Sequence, residues 1–299
     1  MLRLLMGIIS VVFLCIIGLM MVMMQILAPH LPYQGHEIAF LALIDRNWHI
    51  VRFDLSRNAY YVIEPQQSIA PSTLDWSPDG TQLAVTSGYS GRRILLVNLA
   101  DGTVTQLPGW GEGRDYMPKW SPDGEKIAFF SGIGSDPRET QSPVLLIVLD
   151  VNNYDTRLLS AGVMSLDWSP DGASLLYQTE MNNWAIYHLA SEQQTAIQVD
   201  VSAGDLAWSP DGEHVAFWQA GRTTSIGVVS LTTGDIVTLA RHATYNYFNP
   251  DWSPDGRRLL VVAADTQRGV TEIHVIDDQG HIRQRVTQFD HMAYPRWRP

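Results

Sequence analysis

The chain has 299 residues, of which 45% are hydrophobic and 17% charged, enough apolar material for a sizeable core. Its formal charge of −11, from 31 Asp plus Glu against 20 Lys plus Arg, excludes the basic face that nucleic-acid binding requires. A single cysteine, Cys15, excludes a disulfide framework and any Cys-based metal site.

Residues 4–28 read LLMGIISVVFLCIIGLMMVMMQILA, a run of 25 residues without a charge. As a helix it would be about 37 Å long, enough to cross a hydrocarbon layer of about 30 Å. A transmembrane anchor over 1–28 is expected, with 29–36 as a linker. The competing reading is a cleaved signal peptide, whose apolar core would be shorter and would end in a small-x-small site. Pro29 directly follows Ala28, the one small residue at the exit, which favours the anchor. Arg3 precedes the run and no Lys or Arg follows before Arg46. The positive-inside rule then places the N-terminus in the cytoplasm and the rest outside the membrane, as for a periplasmic domain.

Beyond the linker the sequence is repetitive. Trp-Ser-Pro-Asp-Gly starts at Trp76, Trp120, Trp168, Trp208 and Trp252, and a truncated sixth copy ends the chain at Trp297. A period of 40–48 residues with strand-like runs predicts propeller blades of four strands each. Pro suits the second position of a type I turn, Asp tolerates the third and Gly takes the positive φ that closes a bulged hairpin. A second strand follows each motif at once, as in Ile127-Ala128-Phe129-Phe130, and its apolar character on both faces suits a sheet packed between neighbours. After the linker, His36 to Leu41 resembles a second strand with no motif before it. Residues 293–297 form a lone first strand. Joined, they predict a sixth blade and a closed all-β ring over 37–299, which removes the open edges of a linear array.

Met117-Pro118-Lys119-Trp120-Ser121-Pro122-Asp123-Gly124-Glu125-Lys126-Ile127-Ala128-Phe129 matches throughout the pattern x-P-x-W-S-P-D-G-x-x-I-A-F. It resembles the TolB-type propeller repeat, and the resemblance covers roughly residues 36–299. It implies a six-bladed propeller and says little about function. The α/β domain that precedes the propeller in the family's namesake is not expected in the short stretch between anchor and first strand, so its role in envelope maintenance is not carried over. A hydrolase domain after the propeller, as in prolyl-oligopeptidase-like enzymes, is likewise not expected.

No motif for chemistry stands out. Gly88-Tyr89-Ser90-Gly91-Arg92 fails the Gly-x-Ser-x-Gly elbow at its last position. Asp150 to Asp155 has the look of a calcium loop, but Tyr154 occupies a ligand position and a connecting hairpin is the better reading. The five motif aspartates read as turn caps, and no metal or cofactor is implied. The long, variable connections fall on the face opposite the motif turns: Gly109 to Met117, Ser131 to Gln141 and Arg241 to Asn249. Variable loops on a rigid scaffold are where binding residues concentrate. Trp, Tyr and Arg dominate binding hot spots, so the candidates are Trp48, Trp110, Arg114, Tyr116, Trp184, Arg222 and Tyr247, with the loop histidines His242 and His291. The alternative for the tryptophans is packing between blades. The expected function is a membrane-tethered, non-catalytic module that binds a protein or small ligand on the long-loop face. The alternative is a hydrolase or lyase with a site gathered from several blades at the channel mouth.

Overall fold

The computed structural model describes residues 36–88, 92–110, 114–132, 144–179, 183–199 and 203–299. The expected anchor, nearly all of the linker and most of the connection after Ser131 lie outside the described residues. Among the described residues no helix is long and apolar enough to cross a membrane.

Residues Gly35–Pro299 form one compact unit of six four-stranded antiparallel sheets. In blade 1 the C-terminal strand Met292–Trp297 is innermost, followed by Glu37–Ile44, Asn47–Asp54 and Ala59–Ile63. Blades 2 to 6 each run from an inner to an outer strand in chain order. Their inner strands are Pro71–Trp76, Asp115–Trp120, Val163–Trp168, Ala203–Trp208 and Tyr245–Trp252.

The motif forms the turn between first and second strands. The Ser hydroxyl donates to the Asp carboxylate two residues on, at 2.5–2.6 Å in all five copies. That carboxylate also accepts the amide two residues further along, as Thr81 and Glu125 show. Gly closes the turn with φ of 65–76°, a region that costs an L side chain free energy. These contacts overcome the partial burial of Asp79, Asp123 and Asp211 and hold the motif carboxyls below their usual range.

Second strands are buried on both faces; Ile127, Ala128, Phe129 and Phe130 are all nearly inaccessible. Each face meets a different neighbour, so the described apolar residues fall into six clusters, one per junction between blades. The ring closes where Ile38 pairs with Trp297 and Ala42 with Met292. Arg298 fastens the closure, donating to the Glu37 carboxylate at 2.6 Å and to the Gly80 carbonyl at 2.9 Å.

All six pairings of first with second strand contain a register shift, at the start of the inner strand in blades 2 and 4 and further along it in the others. At the bulge Met117, Asp205, Asn249 and Tyr294 take φ of 47–54°. Asp and Asn tolerate that region, whereas Met117 and Tyr294 adopt it at a cost of roughly 1–2 kcal/mol each.

Removing residues 292–299 strips blade 1 of its inner strand, including buried Met292 and Trp297. Loss of whole buried side chains is expected to cost several kcal/mol, read as a lower midpoint in denaturant unfolding. An unchanged midpoint would contradict closure through this strand.

Candidate functional site

The axis is built from the residue that precedes each motif tryptophan: Asp75, Lys119, Asp167, Ala207, Asp251 and Arg296. Acidic and basic positions alternate around the ring, with Ala207 standing where a third cation would fall. Lys119 Nζ lies 3.2 Å from Asp167, and Arg296 lies 3.5 Å from Asp75 and 3.8 Å from Asp251.

These groups also tie blade to blade through two bond types that alternate. At one junction the Trp amide donates to the Asp of the preceding blade: Trp120 to Asp75 and Trp208 to Asp167 at 2.8 Å, and Trp297 to Asp251 at 2.7 Å. At the next the indole Nε1 donates to the preceding blade's carbonyl: Trp76 to Arg296 at 3.2 Å, Trp168 to Lys119 at 3.0 Å and Trp252 to Ala207 at 3.1 Å. All six junctions carry one or the other.

Burial pushes the Asp75 and Asp205 carboxyls up against the pull of Lys119 and Arg296, and takes Asp251 up to about 6. Burial opposes the charge on Arg296, but Asp251 and Asp75 outweigh it and hold its guanidinium firmly protonated. Between this ring and the tier formed by Thr73, Met117, Ser165, Asp205, Asn249 and Tyr294 lies a chamber of about 30 Å³. That is room for a few waters at most. On the motif side the axis opens into a bowl of about 390 Å³, with Asp75, Lys119, Asp167, Asp251 and Arg296 in its lining.

The sequence-derived candidates fall into three groups on the opposite face, with one residue apart. On blade 1, Leu43 sits between Trp48, its strand partner, and His291, whose carbonyl accepts the Leu43 amide at 3.0 Å. Trp48 lines a groove of about 830 Å³ with Ile50, Ile63, Ile69 and Pro71. At the junction of blades 2 and 3, half-buried Trp110 packs on the core cluster that holds Phe129. Its amide donates to Asp115 at 3.3 Å and its carbonyl accepts Ser131 at 3.4 Å. Tyr116 packs edge-on against Phe130, with the Arg92 guanidinium 5.2 Å above its ring, while Nη2 of half-buried Arg114 has no acceptor among the described residues. At blades 5 and 6, exposed Arg222 neighbours Thr223, which donates to the His242 carbonyl at 2.9 Å. His242 packs on Tyr245, and Tyr245 on Tyr247. Trp184 stands apart, fully buried with Phe217 in the core between blades 4 and 5. Tyr247 is also buried, which raises its phenol to about 12.

One cluster has no motif behind it. His274 is fully buried and lies 3.0 Å from Glu272, which also accepts Arg268 at 3.0 Å. The rings of Tyr245 and Tyr247 flank His274 at 4.9 and 5.9 Å. The sequence does carry a signal for it: in Thr271-Glu272-Ile273-His274-Val275-Ile276, strand alternation puts Glu272 and His274 on one face of an otherwise apolar strand. Small Ala263, paired with both Tyr247 and Glu272 across the intervening strand, leaves space for the aromatic rings. Elsewhere, Asp211, Glu213 and His214 bring possible metal-ligand atoms within 4.8 Å of one another on an exposed turn. Asp211 there is already engaged by Ser209 and the Glu213 amide.

Burial lowers the His274 pKa, against the pull of Glu272. The unfolded chain therefore takes up a proton at this residue at higher pH than the folded one. Its contribution to stability is complete above the unfolded value of 6.5 and is lost as pH falls through it toward the lower folded value. His274→Gln keeps a donor to Glu272 and removes the titration. From pH 7 to 5 the wild type should lose stability relative to this variant, by at most about 1.4 kcal/mol per pH unit, in parallel denaturant titrations. Parallel curves would contradict a buried neutral His274.

The profile of the TolB beta propeller domain family matches residues 18–200 of this chain. An uncharacterized peptidase, YuxL of Bacillus subtilis, is 25% identical over 203 residues, which is 64% of this chain and 29% of that protein. The chain thus spans less than a third of that relative. The crystal structure of TolB from Acinetobacter baumannii superposes with a TM-score of 0.73 at 16% identity, covering 88% of this chain and 67% of that one. A chain of a nidogen/laminin complex superposes with a TM-score of 0.68 at 12% identity, covering 88% and 98%. At these identities the structural likeness shows the fold alone.

Proposed function

This chain belongs to the TolB β-propeller family, and from that premise we propose that it is a binding scaffold, held to a membrane by residues 4–28, with its propeller outside the cytoplasm. The observation that carries the reading is the state of the axis. Its aspartates accept amides from the next blade, Lys119 and Arg296 lie in ion pairs with them, and its inner chamber admits only water. Concave surface of useful size on the loop face lies at the rim, in the groove beside Trp48. That lining is mostly uncharged, as suits recognition rather than proton transfer. A propeller of the same fold occurs in the nidogen/laminin complex, which supports protein binding as the use of such a surface.

A catalytic reading is favoured by one observation. Glu272 and His274 form an acid–base pair beside Tyr247, and His274 Nδ1 lacks a hydrogen-bond partner. The pair is buried, so turnover would require blades 5 and 6 to part locally. The peptidase name of YuxL lends this hydrolase reading weight. Any turnover by the full chain should then be abolished by His274→Gln and untouched by Arg222→Glu.

Two measurements test the scaffold. Alkaline extraction should leave the full chain in the membrane fraction, with peptides from residues 4–28 found by mass spectrometry; a mature N-terminus near Pro29 would overturn the anchor. Arg222→Glu, at an exposed loop position, should weaken co-purification of the native partner from membranes without shifting the melting temperature. Equal recovery by wild type and variant would remove the blade 5–6 loops from the binding face.

A further inference from the structure

The groove on blade 1 is a place where the sheet is unfinished. Antiparallel strands point successive amide–carbonyl pairs to alternate sides. The Leu55 amide bonds inward to the His36 carbonyl, and the Leu43 amide bonds away from this strand, to His291. By that parity the main-chain groups of Trp48, Ile50 and Arg52 face the outer strand Ala59–Ile63. Arg52 meets Tyr61 and Ile50 meets Ile63, but the position opposite Trp48 falls to Pro65. Proline has no N–H to donate. The chain turns away there, with the Gln66 amide bonding to the Gly102 carbonyl at 2.8 Å.

Other blades do not leave this gap. In blades 3, 4 and 5 the outer strand reaches Leu145, Trp184 and Ile226, within one residue of where the third strand begins. In blades 2 and 6 the outer strand stops two residues short of the third strand's start, but there the Leu107 amide reaches the Ile94 carbonyl and the Thr271 amide reaches the Asp290 carbonyl. In blade 1 the third strand starts at Asn47 and its outer partner stops at Ile50, so the outward-facing main-chain groups of Trp48 are left on a free edge. The edge opens onto the groove of about 830 Å³. Trp48, Ile63 and Ile69 give that groove an apolar wall backed by the core between blades 1 and 2. Glu64 stands exposed at its rim and is the carboxylate of the lining.

We propose that this groove takes an extended polypeptide segment of a partner protein, which pairs with Trp48 and continues the outer strand of blade 1 past Pro65. The segment's residue opposite Trp48 donates to its carbonyl and accepts its amide. Alternate apolar side chains lie against Ile63 and Ile69. A Lys or Arg on the segment meets Glu64, so a basic, β-branched strand is preferred over an acidic one. The inference rests on the scaffold reading only in taking the partner to be a polypeptide.

The test is hydrogen exchange on the full chain, with acetyl-Thr-Val-Lys-Val-Thr-amide as probe. Without the peptide, the Trp48 amide should exchange at least about tenfold faster than that of Ile50. Saturating peptide should slow Trp48 about tenfold and leave Arg52 unchanged. The same peptide N-methylated at its central residues should neither bind nor protect. Glu64→Lys, at an exposed position, should reverse the preference toward a Glu-containing peptide while the unfolding midpoint stays constant. Slow exchange at Trp48 in the free chain, equal binding of the N-methylated peptide, or protection confined to another segment would each overturn the proposal. If the groove fails while native partner capture still responds to Arg222→Glu, the scaffold reading stands. If capture ignores Arg222→Glu while the peptide protects Trp48, the groove stands and the blade 5–6 face falls.

Discussion

The structure depends on closing a ring of six sheets around an axis too narrow to be left empty. Six inner strands converge there, and each carries main-chain groups and a side chain that must find partners away from bulk water. The chain meets this with one repeated device. A tryptophan amide or indole in each blade reaches back to the blade before it, and in every blade but that of Ala207 the residue before the tryptophan supplies an acid or a base to the ring. Each such hydrogen bond adds only about 1 kcal/mol net, but leaving its buried partner unmet would cost more. The two bond types alternate because acid-bearing blades offer a carboxylate to the next amide, while the blades of Lys119, Ala207 and Arg296 offer only a carbonyl.

On the scaffold reading, that arrangement directs recognition away from the axis. Charges on the axis are paired with neighbours: Arg296 spans Asp75 and Asp251, and Lys119 meets Asp167. Groups bound this tightly are poor candidates for exchanging partners with a ligand, since removing one leaves another charge buried and unpaired. The proposed function is correspondingly assigned outward, to connections whose lengths vary because the ring does not constrain them. The groove by Trp48 exists because Pro65 ends an outer strand early, a change the inner ring does not register.

The Glu272–His274 pair follows a different logic. It sits between blades 5 and 6, where the other junctions are mainly apolar; Arg268 meets Glu272, and aromatic rings flank His274. Burial keeps His274 neutral while burial at Asp251 favours its protonated form. The two groups therefore respond to acid in opposite senses.

Much of the fold was legible from local sequence. The turn Ser-Pro-Asp-Gly is set by residues within five positions of one another, so its conformation could be read five times over, and its spacing carried the blade count. Closure was legible too, because a second strand without a motif at Glu37 and a motif without a second strand at Trp297 complete each other. The fate of individual side chains was not. Trp184 and Tyr247 read like Trp48 and Arg222 in a loop-face search, yet the first two are buried and Arg222 is exposed, because the neighbouring blade that covers them is distant in sequence. The alternation of Asp75, Lys119, Asp167, Asp251 and Arg296 has the same origin. Each lies one residue before a motif tryptophan, but only the ring brings positions some forty residues apart to within bonding distance. Local turn chemistry and period fixed the architecture; which groups are bonded, buried or left facing a groove was decided by contacts between blades, which no single repeat contains.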